Sequence, residues 1–300
     1  MSLRKISKVF LALEQAEGAG AIVRRSIGTA QLRNFSPFLL LDHLESSSLG
    51  GFPDHPHRGQ ETISYILSGS LSHEDFTGAK GHVSTGGLQF MTAGRGIMHS
   101  EIPNPSPSGA PNIGLQLWVD LPSHLKLCPP RYRDLPASEI PLVELDEGRV
   151  RVKVISGKVG GVERGRDLTY VGVWYLDFEV EAGGKIVQEV PKGWNAFAYL
   201  LTGQATFGSG EGKRVVKRWH NVVFEQDGDS IEVSVDADAK ESAHFVLIAG
   251  QPLDQPVVRL GPFVMNTEEE VQQAMRDFRR FENGFERARG WESEIGRGAM

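Results

Sequence analysis

The sequence predicts an all-β protein of two similar halves, each a β-sandwich or β-barrel, with one helix near the C-terminus. Three observations indicate this fold. The 300 residues include 35 glycines and 16 prolines, a composition that favours many tight turns over long helices. Segments 62–74, 168–180 and 197–207 are rich in β-branched and aromatic residues of nearly alternating polarity, which is typical of strands. The third observation is an internal repeat.

The repeat appears when the sequence is aligned with itself at an offset of 134 residues. A constant offset over about forty positions predicts duplication, so each half should be one domain. Five prolines between 122 and 141 predict a linker without regular structure, and the domains are expected at 1–134 and 143–300. The aligned pairs are Gly59 with Gly193, Tyr65 with Tyr199, Leu67 with Leu201, Gly69 with Gly203, Phe90 with Phe224 and Gly94 with Gly228.

The helix is predicted from Thr267 to about Glu282. Thr267 and Glu270 have the spacing of a capping box, and Val271, Met275 and Phe278 then follow at helical intervals. We expect this helix to pack on a barrel.

Composition excludes several classes of function. A net charge of −6 and a pI near 5.9 argue against primary nucleic-acid binding, and no apolar run approaches the ~20 residues that a membrane span needs. The N-terminus lacks the pattern of a secretory signal, and one cysteine, Cys128, excludes an internal disulfide. These features predict a cytoplasmic or nuclear protein that is not secreted.

Two short segments contain residues that could bind a metal ion. His55 and His57 are two residues apart, as are His99 and Glu101, so on extended strands each pair points to one face. Two antiparallel strands could therefore direct three imidazoles and one carboxylate to one point. This donor set suits a first-row divalent metal, without choosing among Fe, Ni, Mn, Cu and Zn.

A lone His-x-His pair is also compatible with a purely structural role, and the repeat helps to decide between the two interpretations. At the same offset, the equivalent positions in the second half are Glu189, Pro191, Val233 and Val235. One half holds the full set and the other has no imidazole at the equivalent positions, which favours a metal site in the first half and a structural role for the second.

The same segments resemble the pirin family of the cupin superfamily. The resemblance rests on SPFLLLDH, FPDHPHRG, LQFMTAGRGIMHSE and GPFVMNT, and it extends from about residue 5 to 295. It implies two tandem cupin-type antiparallel β-barrels, a bicupin, with a C-terminal helix. It also implies one Fe(II)/Fe(III) ion in the N-terminal domain, held by His55, His57, His99 and Glu101, and no metal in the C-terminal domain.

Four protein donors around an octahedral ion would leave two positions open, which is typical of catalytic rather than structural metal sites. The family's similarity to quercetin 2,3-dioxygenases implies an Fe(II)-dependent dioxygenase that uses O2 to open the heterocyclic ring of a flavonol with release of carbon monoxide. Glu101 would be catalytic as the acceptor of the substrate proton. Asp42, Phe52 and Gln116 are the expected contacts of the aromatic substrate.

The resemblance equally implies a second function, a nuclear co-regulator of transcription. In this hypothesis the oxidation state of the iron alters the surface that a transcription-factor partner recognises. The acidic pI agrees with a protein partner rather than DNA alone. The sequence does not separate the two functions.

Overall fold

The computed structural model describes residues 1–46, 50–106, 108–165 and 168–298. The chain forms two compact units. The N-terminal unit comprises Glu14–Gly28, Phe38–Glu139 and the chain from Leu253 onward, and the C-terminal unit comprises Met1–Leu13, Thr29–Pro37 and Ile140–Pro252. The predicted domains, 1–134 and 143–300, are consecutive stretches of sequence. In the structure the first residues, Met1–Leu13, belong to the C-terminal unit, and the chain from Leu253 onward belongs to the N-terminal unit. The physical reason is strand pairing at one end of the chain and helix packing at the other.

The N-terminal unit is built from two antiparallel sheets of seven and four strands. The seven-stranded sheet has the order β12-β9-β6-β11-β4-β3-β2 and the four-stranded sheet the order β5-β10-β7-β8. The strands are β2 (Leu13–Glu17), β3 (Ala21–Ile27), β4 (Phe38–Ser46), β5 (Phe52–His57), β6 (Gln60–Ser68), β7 (Ser70–Asp75), β8 (Lys80–Ser84), β9 (Leu88–Thr92), β10 (Ile97–Pro103), β11 (Asn112–Asp120) and β12 (Arg131–Leu135).

The C-terminal unit repeats this plan. Its larger sheet has the order β1-β21-β18-β23-β16-β14-β13, with β15 paired to β14, and its smaller sheet the order β17-β22-β19-β20. The strands are β1 (Ile6–Leu11), β13 (Leu142–Leu145), β14 (Val150–Val159), β15 (Val162–Arg164), β16 (Val173–Val180), β17 (Lys185–Glu189), β18 (Asn195–Thr202), β19 (Gln204–Phe207), β20 (Arg214–Lys217), β21 (His220–Phe224), β22 (Ser230–Ser234) and β23 (Ala243–Gly250).

The equivalence of the two units follows the offset found in the sequence. Moved by 134 residues, the strands of the sheet β5-β10-β7-β8 fall on those of β17-β22-β19-β20, in the same order. The turn glycines agree as well: Gly59 and Gly193 both have φ of +79°, a left-handed conformation that glycine adopts without strain. The predicted all-β fold is confirmed. The sheets of each unit form a two-layered jelly roll rather than a closed cylinder.

The interiors of the two units differ in polarity. The C-terminal unit is filled by apolar side chains that include Val233 and Val235, two of the positions equivalent to the candidate ligands. In the N-terminal unit the equivalent interior holds His57, His99 and Glu101, each 1% exposed. Buried polar groups need partners, so the polar interior marks the unit in which a functional site is to be sought.

The proline-rich linker contains more regular structure than predicted. Strand β12 lies within it and pairs with β9 from Arg131↔Thr92 to Leu135↔Leu88. The prolines flank this strand at 129, 130 and 136 and leave its five amides free to form the ladder. The number of prolines therefore led to a wrong prediction for this segment, because the position of each proline relative to the strand decides whether the strand can form.

Helix α1 runs from Glu268 to Arg280, as the capping box predicted. A short hairpin precedes it, formed by β24 (Val258–Leu260) and β25 (Phe263–Met265). The helix contributes Ala274 to an apolar cluster with Met91, Ile97 and Phe263, so it packs on the N-terminal unit although it follows the C-terminal one. No helix in the described part of the chain has the length and apolar character needed to cross a membrane.

We expect the Thr267→Ala substitution to lower the free energy of unfolding by about 1 kcal/mol, the usual cost of losing such a cap. The Thr267 hydroxyl accepts from the Glu270 amide at 3.2 Å, and the Glu270 carboxylate accepts from the Thr267 amide at 3.1 Å. Urea unfolding measures the difference. A Thr267→Ser variant should be close to the parent chain, and an equal loss in both variants would contradict the cap.

Candidate metal centre

The candidate ligands lie on two neighbouring antiparallel strands. In the pairing of β5 with β10, His55 is directly opposite His99, His57 is opposite Ile97, and Glu101 is opposite Phe52. A bulge between His99 and Glu101 shifts the register by one residue. The extra residue of this bulge is on β5, whereas β10 pairs without a shift with β7 at His99 and Glu101. His99 and Glu101 therefore stay on one face of β10.

Three imidazoles converge on one point. The donor atoms offered by His55, His57 and His99 all lie within 4.8 Å of one another. The Nε2 atoms of His55 and His99 are 3.0 Å apart. With metal–nitrogen distances of about 2.1 Å, adjacent ligands of an octahedral ion would be separated by about 3.0 Å. The arrangement of the imidazoles therefore fits a metal ion.

Burial keeps two of these imidazoles neutral. The pKa of His57 is held well below its usual 6.5 by burial, and further by the proximity of His55 and Arg259. The pKa of His99 is lowered in the same way by burial and by the other histidines. A neutral imidazole has a free lone pair at neutral pH, which is the form that binds metal.

The second nitrogen of each imidazole has a neighbour that can fix its orientation. The Nδ1 atom of His55 donates to the carbonyl of Pro53 at 2.9 Å, which leaves its Nε2 as the lone-pair atom. The Nδ1 atom of His57 is 2.8 Å from the amide nitrogen of Gln60, whose own Oε1 has no hydrogen-bond partner among the described residues. Turning this amide by 180° places Oε1 of Gln60 as the acceptor of the His57 Nδ1–H, which leaves Nε2 of His57 as the lone-pair atom. The orphaned oxygen of Gln60 thus agrees with a ligand role for His57.

Tyr132 lies beside the third imidazole. Its hydroxyl is 3.4 Å from Nδ1 of His99, and its ring stacks on His73 at 5.7 Å between ring centroids. Burial raises the pKa of Tyr132 well above 10, with a further contribution from the nearby carboxylate of Asp75. Tyr132 therefore stays protonated beside the site.

Glu101 is close to the imidazoles but outside the group of three. Its Oε2 is 4.0 Å from Nε2 of His99. Ser64 donates to Oε1 at 2.9 Å and Gln116 donates to Oε2 at 2.8 Å, so both carboxylate oxygens are held. Gln116 is itself fixed by Trp118, whose indole N–H donates to Oε1 of Gln116 at 2.8 Å. These contacts orient the carboxylate towards His99.

Two cavities adjoin the centre. One, of about 280 Å³, is bordered by His55 and His57 together with Arg25, Trp118 and Arg259. The other, of about 50 Å³, is bordered by Glu101 and mainly apolar side chains. The three residues predicted to contact substrate border both cavities: Asp42, Phe52 and Gln116.

Substitution of Gln60 by leucine tests the orientation of His57. We expect Gln60→Leu to weaken metal binding about 10- to 100-fold, the usual effect of losing a hydrogen bond to a metal-bound imidazole. Competition with a chromophoric chelator measures the affinity. A matched control is Gln188→Leu, at an equally buried glutamine of the C-terminal unit. Unchanged affinity in the Gln60 variant would show that His57 is oriented by other contacts.

Comparison with known proteins adds to this geometry. Residues 20–119 match the profile of the pirin family, and residues 175–284 match that of the pirin C-terminal cupin domain. The chain is 48% identical to human pirin over 296 residues, which are 98% of this chain and 99% of the human protein. The chain belongs to the pirin family. A pirin-like protein of Solanum lycopersicum is 44% identical over 291 residues, which are 97% of each chain.

Solved structures of other proteins resemble this pirin-family fold. A quercetin 2,3-dioxygenase from Acinetobacter baumannii superposes with a TM-score of 0.84 at 30% identity, covering 93% of this chain and 98% of that one. A bacterial pirin from Escherichia coli, solved with nickel(II), has a TM-score of 0.60 at 20% identity over 82% of this chain and 99% of that one. The predicted bicupin fold with a C-terminal helix is confirmed.

Sequence reasoning missed several residues around the centre. Gln60 and Ser64 lie on β6, four residues apart and on the face that carries other polar side chains, a signal that was available in the sequence. Tyr132 was hidden in the supposed linker. Arg259 reaches the cavity from a segment more than 150 residues beyond His99, and no local pattern connects the two.

Proposed function

We propose that this pirin-family protein is an Fe(II)-dependent dioxygenase of the quercetin 2,3-dioxygenase type, which opens the heterocyclic ring of a flavonol with O2. The observation that carries the proposal is the convergence of three imidazoles, two of which, His55 and His57, border a 280 Å³ cavity. The likeness to a quercetin 2,3-dioxygenase over nearly the whole chain supports it.

His55, His57, His99 and Glu101 would hold the iron. When bound, iron would lower the pKa of a coordinated substrate hydroxyl and bring the substrate and O2 together. The near-complete burial of His57 and His99 excludes bulk water from the inner side of the centre.

Glu101 would receive the proton of the flavonol hydroxyl at Oε2, its oxygen nearest the imidazoles. Gln116, which donates to this same oxygen, would hold the carboxylate in place during the transfer. Phe52 and Gln116, together with Asp42, would border the substrate, since they line both cavities.

The test is oxygen uptake together with loss of quercetin absorbance by the protein reconstituted with Fe(II). We expect the parent chain to turn over quercetin and the Glu101→Gln variant, compared at equal bound iron, to lose about 100-fold or more in rate, as general-base catalysis contributes ~10²–10⁴-fold. His124→Ala, at an exposed histidine, is the matched control. An iron-loaded parent chain that is no faster than free iron would overturn the proposal.

The second hypothesis, a nuclear co-regulator that binds a transcription factor according to iron oxidation state, stays a prediction. The residues around the centre define no partner surface. Equal affinities of the Fe(II) and Fe(III) forms for a candidate partner would contradict the co-regulator hypothesis.

A further inference from the structure

Arg259 is a cation placed at the wall of the metal-facing cavity. It lies in strand β24 of the N-terminal unit and borders the same 280 Å³ space as His55 and His57. Its guanidinium stacks on Trp118, with 4.6 Å from Cζ to the ring centroid, and Trp118 in turn meets His57 edge-on at 5.1 Å between ring centroids. Arg259 is therefore two aromatic contacts away from the candidate metal.

The two arginines of this cavity differ in their partners. Arg25 is neutralised: its Nε and Nη2 donate to the two oxygens of Asp42 at 2.7 and 2.6 Å, and Nη2 also reaches Glu17. Arg259 donates through Nε to the carbonyl of Gly261 at 3.1 Å. In the described part of the chain no carboxylate oxygen lies within 4.0 Å of Arg259, and its Nη1 and Nη2 atoms have no hydrogen-bond acceptor.

The charge of the cavity points to a negative ligand. The charges of Arg25 and Arg259 in the cavity lining are balanced by those of Glu17 and Asp42. A divalent ion held beside Glu101 would add one net positive charge. A cavity of this charge favours a ligand that carries one negative charge.

Size and lining restrict the rest of the ligand. A volume of about 280 Å³ is at the lower end of the range of small-molecule sites, which is about 300–1,000 Å³. Phe52, Leu40 and Pro262 contribute apolar surface to the same wall. A small aromatic ligand matches this space.

We propose that, among aromatic ligands, the cavity prefers one that carries a carboxylate, and that Arg259 is the specificity-determining residue that receives the carboxylate. The free Nη1 and Nη2 atoms form the planar fork that binds a carboxylate through two hydrogen bonds. Stacking on Trp118 holds this fork in place. The opposite end of the ligand would face the imidazoles, and for that end alone the inference rests on the proposed dioxygenase function.

Calorimetric binding of two matched probes tests the proposal without turnover. The probes are 3,4-dihydroxybenzoate and the neutral 3,4-dihydroxybenzamide, titrated anaerobically into the Fe(II)-loaded protein. We expect Arg259→Gln to weaken binding of the benzoate about 10- to 100-fold and to leave the amide unchanged, because hydrogen bonds to charged groups contribute at this level. Arg259→Lys should give an intermediate loss, since lysine keeps the charge but not the fork.

Arg218→Gln is the matched control. Arg218 stacks on Trp219 in the C-terminal unit, with 4.3 Å from Cζ to the ring centroid, so the substitution removes a similar stacked arginine away from the cavity. It should leave both probe affinities at parent values. Equal weakening of both probes by Arg259→Gln, or no weakening of the benzoate, would overturn the proposal, as would a parent chain that binds the benzoate no better than the amide.

The binding test and the oxygen-uptake test together distinguish the proposed anion site from the proposed dioxygenase function. A protein that prefers the benzoate through Arg259 but does not consume O2 with quercetin would retain the anion site and lose the dioxygenase function. A protein that turns over quercetin but is indifferent to Arg259 would retain the function and lose the anion site.

Discussion

The His57→Ala variant is expected to bind Fe(II) more than about 100-fold more weakly than the parent chain. Loss of an outer contact to a ligand imidazole already costs about 10- to 100-fold, and loss of the ligand itself should cost more. Burial lowers the pKa of His57, so at neutral pH its imidazole is uncharged and has a free lone pair. The side chain is only 1% exposed, so bulk water does not compete for this lone pair. Bound iron per chain after dialysis against a chelator of known affinity measures the effect.

His124→Ala again provides the control, because it removes an exposed imidazole from the same unit. Circular dichroism of the metal-free variants shows whether the fold is kept. If a folded His57→Ala variant held iron as tightly as the parent chain, the centre would be elsewhere.

Among the variants whose stability is predicted, Asp277→Ala should show the largest decrease in the free energy of unfolding. Arg58 and Asp277 form an ion pair at 2.6 Å, and each side chain is 3% exposed. Arg58 also donates to the carbonyls of Arg95 and Asn283, both at 2.6 Å. In the Asp277→Ala variant a buried guanidinium would lose its counter-ion, which typically costs about 3–5 kcal/mol. Urea unfolding of the metal-free protein measures the free energy.

An exposed ion pair gives the contrast. Arg151 and Glu179 are 3.0 Å apart, with side chains 36% and 45% exposed. We expect Glu179→Ala to cost less than about 1 kcal/mol. Similar losses in the two variants would mean that burial of the Arg58–Asp277 pair has no special effect on stability.

The pH dependence of this pair has a defined sign. Burial alone would raise the pKa of Asp277, but hydrogen bonds from Arg58, Asn283 and Gln273 outweigh it and hold the pKa below 3.8. A carboxyl whose pKa is lower in the folded state stabilises the protein above its unfolded pKa. That contribution is lost as the pH falls through the folded value. The difference between the parent chain and Asp277→Asn should therefore be constant at neutral pH and shrink below about pH 3.8.

Much of the fold could be predicted from the sequence because the signals were local or repeated. Alternating polarity defined the strands, the offset of 134 residues defined the two halves, and the spacing of Thr267 and Glu270 defined the helix start. The domain boundaries were less accessible. Pairing of β1 with β21 places the first strand in the C-terminal unit, and such a long-range pairing has no local signature.

The candidate site divides in the same way. His55, His57 and His99 were predicted from their spacing and from the loss of imidazoles in the second half, and the structure brings these three together. Glu101 follows His99 on a regular stretch of β10, and its carboxylate is held by Ser64 and Gln116, contacts that alternation alone does not reveal. Asp42, Phe52 and Gln116 do border the cavities, but their substrate contacts stay a prediction.

The sequence by itself determined which chemistry the chain carries: three imidazoles and a carboxylate in one half, and apolar residues at two equivalent positions in the other. Spacing of two residues on a strand is enough to place side chains on one face. Only the tertiary structure decided what surrounds them. Tyr132 reaches His99 and Arg259 reaches the cavity through strand pairing and chain return over long distances, and these contacts depend on packing rather than on neighbours in sequence.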